Sequence, residues 1–321
     1  MRRRRIIMAL GAVTLARPVR AQDWPQHPVR ILVGFPPGGF TDILARVIAP
    51  RLQERFGQPF VVENRPGAAG IIAAEAVAKA PPDGLMLLLA HPTAIAIAPA
   101  LSQRLPYDGM AAFTPVTLLA QQPHVLLVKG DAPWRSLAEL VEDARRRPGM
   151  LTYASSGVGS VQHVQGELFA AAAGIELVHV PYRGSGPTMT DLAAGNVSMV
   201  IDGVAVSAPL VESGRLRVLA TSAARRLPRY PDLPTLAESG LEGVVPGSWF
   251  GLLAPAGTPP AIVQALARAA TEALPTPEVA RAMERASAEP GGLSPEEFAA
   301  FVRAEDARYR ALAARTRISM D

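Results

Sequence analysis

The chain contains no cysteine, which excludes a disulfide framework, a thiolate metal site, a cysteine nucleophile and an acylated-cysteine lipoprotein anchor. It also lacks the motifs of common catalytic centres. There is no G-x-S-x-G elbow, no G-x-x-x-x-G-K-[ST] phosphate loop and no complete G-x-G-x-x-G fingerprint; Gly157-Val158-Gly159 supplies only half of the last. The five histidines, at 27, 91, 124, 163 and 179, show neither H-x-x-x-H nor H-E-x-x-H spacing, so nothing in the sequence points to a metal. Ser160 and His163 lie three apart, with no third group evident to orient the histidine as a base. The expectation is a protein without catalysis, cofactor or metal.

What is present begins with an export signal. Arg2, Arg3, Arg4 and Arg5 form a cationic start, an apolar run covers 6–16, and Val19-Arg20-Ala21 is a small-residue cleavage pattern, with the cut expected between Ala21 and Gln22. The apolar run is well short of the roughly 20 residues that span a bilayer. Both the general secretory and the twin-arginine routes fit the four arginines. The first 21 residues carry six arginines and no acid, so removing those six charges from the +4 of the whole chain leaves −2. The basic balance belongs to the signal, and no nucleic-acid partner is inferred. An exported chain without an anchor is expected to diffuse freely in the periplasm, as a monomer. A remainder of about 300 residues exceeds one ordinary core, so two domains are expected. The 49% apolar content fits an ordered globular chain.

Strand, glycine loop and helix follow one another from the start of the mature chain. A strand at 29–35 leads through Pro36, Pro37, Gly38, Gly39, Phe40, Thr41 and Asp42 into a helix at 43–56. A strand at 60–64, a helix at 71–79 and a strand at 85–90 come next. The pattern returns near the middle: a strand at 151–154, the loop 155–160, a helix at 161–173 closed by Gly174, a strand at 178–180, a helix at 188–194 and a strand at 197–202. Such alternation predicts βαβ units in mainly parallel sheets. Apolar stretches at 116–128 and 244–255 are candidates for two crossings between domains, with helices at 260–274, 277–285 and 295–314 completing the first. The expected domains are 22–122 with 246–321, and 123–245.

Each glycine loop joins a strand end to a helix start, where unpaired backbone N–H groups and the helix dipole favour an anion. Gly38, Gly39, Gly157 and Gly159 permit close approach, and Thr41, Ser155, Ser156 and Ser160 add hydroxyls. Simple helix capping by Thr41 or Asp42 and by Ser160 explains the same residues equally well. His163 falls on the first turn after the second loop, and Asp202 at a strand end is placed to receive an amino or hydroxyl group or to cap the next segment. Arg183 is the nearest cationic candidate in a turn.

Seven blocks, in order along the chain, resemble the substrate-binding family of tripartite tricarboxylate transporters, also called Bug receptors. They are Phe35-Pro36-Pro37-Gly38-Gly39-Phe40-Thr41-Asp42, Val62-Glu63-Asn64-Arg65-Pro66-Gly67-Ala68-Ala69-Gly70, Lys79-Ala80-Pro81-Pro82-Asp83-Gly84 and Leu105-Pro106-Tyr107-Asp108. The remainder are Tyr153-Ala154-Ser155-Ser156-Gly157-Val158-Gly159-Ser160, His179-Val180-Pro181-Tyr182-Arg183-Gly184 and Trp249-Phe250-Gly251-Leu252-Leu253-Ala254-Pro255-Ala256-Gly257. The resemblance implies an α/β, two-domain periplasmic-binding-protein-like fold of the second type, with two interdomain crossing segments. It implies a receptor that traps a small carboxylate and delivers it to the large and small membrane subunits of a transporter; an orphan role signalling through a sensor kinase is the alternative. The resemblance implies that the loops 37–42 and 155–160 form a carboxylate pincer, and the expected ligand-binding set is Phe35, Pro37, Gly38, Gly39, Phe40, Thr41, Asp42 and Thr93 on one side, and Ser155, Ser156, Gly157, Gly159, Ser160, His163 and Asp202 on the other. Phe40 and Ile71 stand where smaller or polar residues are usual in this family, which favours a monocarboxylate or aromatic acid over citrate.

Overall fold

The computed structural model describes residues 24–102 and 104–314. The expected export signal and its cleavage point lie outside the described residues. The chain opens with β1 (Val29–Val33), α1 (Phe40–Phe56), β2 (Phe60–Asn64), α2 (Ile71–Ala78) and β3 (Met86–Ala90). A π-type turn at Thr93–Ile97 runs into the short α3 (Ala98–Leu101). Then come β4 (Phe113–Lys129), α4 (Leu137–Arg146), β5 (Leu151–Ser155), α5 (Val161–Ala173), β6 (Leu177–Pro181), α6 (Ser185–Ala194), β7 (Met199–Gly203), α7 (Val204–Glu212) and β8 (Leu216–Thr221). The last stretch is β9 (Gly247–Pro255), α8 (Pro260–Ala273), α9 (Pro277–Arg285), β10 (Glu289–Pro290) and α10 (Pro295–Ala313).

Strand order is β2-β1-β3-β9-β4-β7-β5-β6, with β8 and β10 also paired to β4. The pairs β1–β2, β1–β3, β5–β6 and β5–β7 are parallel. The long β4 carries the chain between two lobes: residues from Phe113 to Pro123 pair with β9, and those from His124 onward with β7 and β8. The second crossing is the return through Val245 and Pro246 into β9, where Gly247 pairs with Pro123. Both expected crossings are therefore present in a two-lobed α/β architecture.

Each sheet is covered on both faces, which is why the parallel strands read as near-continuous apolar runs. In the first lobe, Leu44, Ile48 and Leu52 of α1 meet Ile262, Val263 and Leu266 of α8 on one face, while Val77 of α2 and Phe298 of α10 cover the other. The second lobe buries Leu140 of α4 and Phe169 of α5 on one side and Met189, Leu192 and Val204 on the other. Helix ends follow the local chemistry. Gly57 and Gly174 close α1 and α5 in the left-handed region, at φ of 72° and 62°. Ser294 and Glu297 form a capping box at α10, with Pro295 in its first turn.

Two helices begin three residues earlier than the sequence pattern predicts. α1 starts at Phe40, so Gly39 occupies the N-cap position and neither Thr41 nor Asp42 caps it. α6 starts at Ser185 and takes Pro187 into its first turn, where no N–H is required of it.

Candidate functional site

A cavity of about 440 Å³ lies between the lobes. The first lobe contributes the loop 35–41, His91 and Phe250; the crossings contribute Gln122, His124 and Ser248. The second lobe contributes Ser156, Gln162, Asp202 and the starts of α6 and α7. The lobes also approach each other closely. A Cβ at Gly184 would stand 3.2 Å from Cδ of Pro36, and one at Gly157 would stand 3.9 Å from Cβ of Ala69.

Three helices present their N-termini to this cavity, and all three have glycine in the N-cap position: Gly39 before α1, Gly184 before α6 and Gly203 before α7. None of the three receives a side-chain cap. A Ser or Asp there would consume first-turn N–H groups; glycine leaves them free, each helix adding the positive end of its dipole. Among the lining residues there is no Lys or Arg, and Asp202 is the one acid. Burial, with a smaller push from His124, lowers His91 to about 3. Burial also lowers His124, against the opposing pull of Asp202 and Gln165. Both rings are neutral at physiological pH, so positive potential in the cavity comes from backbone dipoles.

The chain matches the family model described as "Tripartite tricarboxylate transporter family receptor" over residues 44–317. The chain belongs to that receptor family. The family's members are solute-binding receptors, and several of its solved structures superimpose closely. The Rpa4515 protein of R. palustris, solved with adipate, is 42% identical with a TM-score of 0.87, covering 91% of this chain and 98% of its own. MatC of Rhodopseudomonas palustris, solved with bound malate, is 33% identical with a TM-score of 0.83, over 90% of this chain and 99% of its own. Protein BugT of Bordetella pertussis is 36% identical over 94% of this chain and 92% of its own length.

Within this family frame, the residues singled out from the sequence divide into two groups. Phe35, Pro37, Gly38, Gly39, Phe40, Thr41, Ser156 and Asp202 line the cavity; Asp42, Thr93, Ser155, Gly157, Gly159, Ser160 and His163 do not. Asp42 is a strut. Its carboxylate accepts from Gly38 N–H at 3.1 Å, Asn64 Nδ2 at 2.9 Å and Arg46 Nε at 3.0 Å. Burial opposes its charge, but those hydrogen bonds prevail and hold the carboxyl below its usual range. Asn64 also donates to the Phe35 carbonyl at 3.0 Å, tying the loop to the end of β2.

The second glycine loop consumes its own donors. Ser160 Oγ caps the His163 N–H at 3.2 Å, His163 Nδ1 accepts the Gly159 N–H at 3.0 Å, and Ser155 Oγ accepts the Gly157 N–H at 3.2 Å. His163 stacks on His179, ring centroids 4.0 Å apart, and His179 Nε2 reaches Ser155 Oγ at 2.6 Å. Of that loop Ser156 alone lines the cavity, its hydroxyl donating to Gln162 Oε1 at 2.8 Å. The cationic candidate Arg183 is exposed and Ile71 is half-buried, both outside the lining. Phe40 does face the cavity, edge-on to Phe250 at 4.9 Å.

Sequence reasoning missed the starts of α6 and α7 and the polar floor. In that floor Gln165 Nε2 donates to the Val245 carbonyl at 2.8 Å, so its Oε1 is the acceptor for His124 Nδ1–H at 2.7 Å. His124 Nε2 then accepts from the Ser248 hydroxyl at 3.1 Å, and Ser248 accepts from His91 Nε2–H at 3.0 Å. His91 Nδ1 is left to accept from the Thr93 hydroxyl at 3.1 Å, which gives Thr93 its place. Each tautomer is assigned by its partners. The one signal available was the run of glycines, each immediately before a helix at a strand end.

Proposed function

We propose that this protein is a periplasmic receptor that closes its two lobes on a small carboxylate and presents it to the membrane subunits of a tripartite tricarboxylate-type transporter. The observation that carries this reading is the convergence of three glycine-capped helix N-termini on one interlobe cavity whose lining holds no lysine or arginine. Such a site stabilises one anionic group by backbone N–H donors while Phe35, Phe40 and Phe250 receive an apolar body. The adipate and malate of the solved relatives are ligands of the same chemical kind. Phe35, Pro37, Gly38, Gly39, Phe40, Thr41, Ser156 and Asp202 contact the ligand in this reading. Asp42, Thr93, Ser155, Gly157, Gly159, Ser160 and His163 hold those residues in place.

The lobes correspond to 22–122 with 246–321, and to 123–245, hinged at the two crossings. The 1–21 segment exports the chain and is removed. A ligand that bridges the lobes shifts the population to the closed form. A thermal-shift screen of the mature chain against mono-, di- and tricarboxylates tests the reading. At a hundred times its dissociation constant a ligand adds about 2.7 kcal/mol, a shift of several degrees for a protein of this size. No shift with any acid would overturn it.

A further inference from the structure

We propose that Asp202 makes the cavity select acids that carry a second group able to donate a hydrogen bond: a hydroxyl, an amide N–H or an ammonium. This inference rests on the carboxylate-receptor reading and names the class of ligand within it.

Asp202 is 4% exposed and lines the cavity. Its Oδ1 is fully engaged, accepting from Gln162 Nε2 at 2.9 Å and from the Gly203 N–H at 2.7 Å. Its Oδ2 is buried and has no hydrogen-bond partner among the described residues. A buried carboxylate oxygen left unpaired is costly, and the cost is recovered by any ligand that brings a donor. Its surroundings fix its orientation. Ser156 donates to Gln162, Gln162 donates to Asp202, and Asp202 accepts from the N-cap residue of α7, so the carboxylate is clamped through Oδ1.

The same geometry assigns the two ends of the ligand. Asp202 sets a negative group beside the N-terminus of α7. The N-cap of α6 abuts Pro36 in the loop before α1, so those two N-termini form a joint donor cluster with no acid on its cavity lining, Asp42 in the first turn of α1 being engaged by Gly38, Asn64 and Arg46. The ligand's carboxylate goes to α1 and α6 and its donor group to Asp202. A second carboxylate at the Asp202 end would meet both a like charge and an acceptor with nothing to accept, which sets this site against dicarboxylates.

Asp202→Asn inverts the subsite. Gln162 and Gly203 both donate to Oδ1, so the amide oxygen keeps that position and the new NH₂ replaces Oδ2. The test is calorimetry at neutral pH with two length-matched series. One is hexanoate, adipate, and the hexanoates bearing a terminal hydroxyl or amine; the other is the corresponding para-substituted benzoates. Wild type is expected to bind a donor-bearing member at least about tenfold tighter than its methyl-ended and carboxylate-ended counterparts. In Asp202→Asn that advantage disappears and the dicarboxylate gains. Donor-bearing and methyl-ended acids binding alike in both series would overturn the inference and leave the receptor reading intact. So would an Asp202→Asn change that weakens every acid by one factor. Should the variant fail to fold, the wild-type order alone decides. Binding by no acid of either series would overturn the receptor reading itself, and this inference with it.

Discussion

His91 and His124 take opposite tautomers in one directed chain of hydrogen bonds beneath the cavity, and the chain holds only while both rings are neutral. A proton on His91 Nδ1 would remove the acceptor for Thr93; one on His124 Nε2 would remove the acceptor for Ser248. Unfolded histidines take up a proton near pH 6.5, about the ordinary value, whereas burial holds folded His91 down to about 3. The unfolded state therefore binds more protons as pH falls below 6.5, and stability declines there at up to about 1.4 kcal/mol per pH unit for each such ring. Urea unfolding is expected to show a lower midpoint at about pH 5 than at neutrality, and His91→Gln should flatten that slope. Asp42 makes a separate prediction. Asp42→Ala leaves the Gly38 N–H and one of the two Asn64 amide hydrogens without their acceptor, so it should destabilise by about 2–4 kcal/mol and weaken carboxylate binding through a loosened loop. Denaturant midpoints and calorimetry on one preparation check both effects.

The glycine N-caps act as a set of elements rather than as single residues, and they set helix stability against anion binding. Gly39 has an extended backbone, φ −75°, and nothing within 4 Å of a Cβ built on it, so substitution there is sterically free. Gly39→Asp supplies the missing cap and complements the α1 dipole, raising stability by about 0.5 kcal/mol. The same carboxylate occupies the N–H groups that the ligand requires, so affinity for any small acid should fall about tenfold or more. Gly39→Ala, which brings no acceptor, should leave affinity nearly unchanged; thermal melts and calorimetry on the pair separate the outcomes. Much of this element grammar was legible in the chain. Alternating apolar strands and glycine or proline stops marked β1, β2, α5 and α8–α10 within a few residues, because local spacing decides them. The second glycine loop turns donors inward for a spatial reason. Its donors are taken by Ser155, Ser160 and His163, and the His179 that completes the stack arrives through β5–β6 pairing, which no local pattern displays. α7 was missed because it follows β7 without a loop and carries Pro209 inside it. The His91–Ser248–His124 floor joins residues 157 and 124 positions apart, beyond any one-dimensional pattern.

For the whole molecule, the proposed opening and closing bears on an apolar contact between the lobes. Ala96, Ile97 and Tyr309 of the first lobe pack with Val161 and Val164 of the second around Val245 of the returning crossing. All six are almost fully buried. We assign this contact to the closed form of a receptor that opens, and on that assignment cutting it back penalises closure more than the folding of either lobe. Ile97→Ala removes methylene and methyl groups from a packed site, a loss of about 2 kcal/mol or more. Charged against closure, about 2 kcal/mol lowers apparent ligand affinity roughly thirtyfold, since every 1.4 kcal/mol is a factor of about ten. The expected result is a large loss of affinity for whichever acid binds, with the unliganded melting temperature falling little. X-ray scattering should show ligand contracting the wild type, while the variant requires a far higher concentration for the same contraction. A fixed pair of lobes gives the opposite pattern, because the whole cost then appears in the unliganded melting temperature and affinity stays as it was.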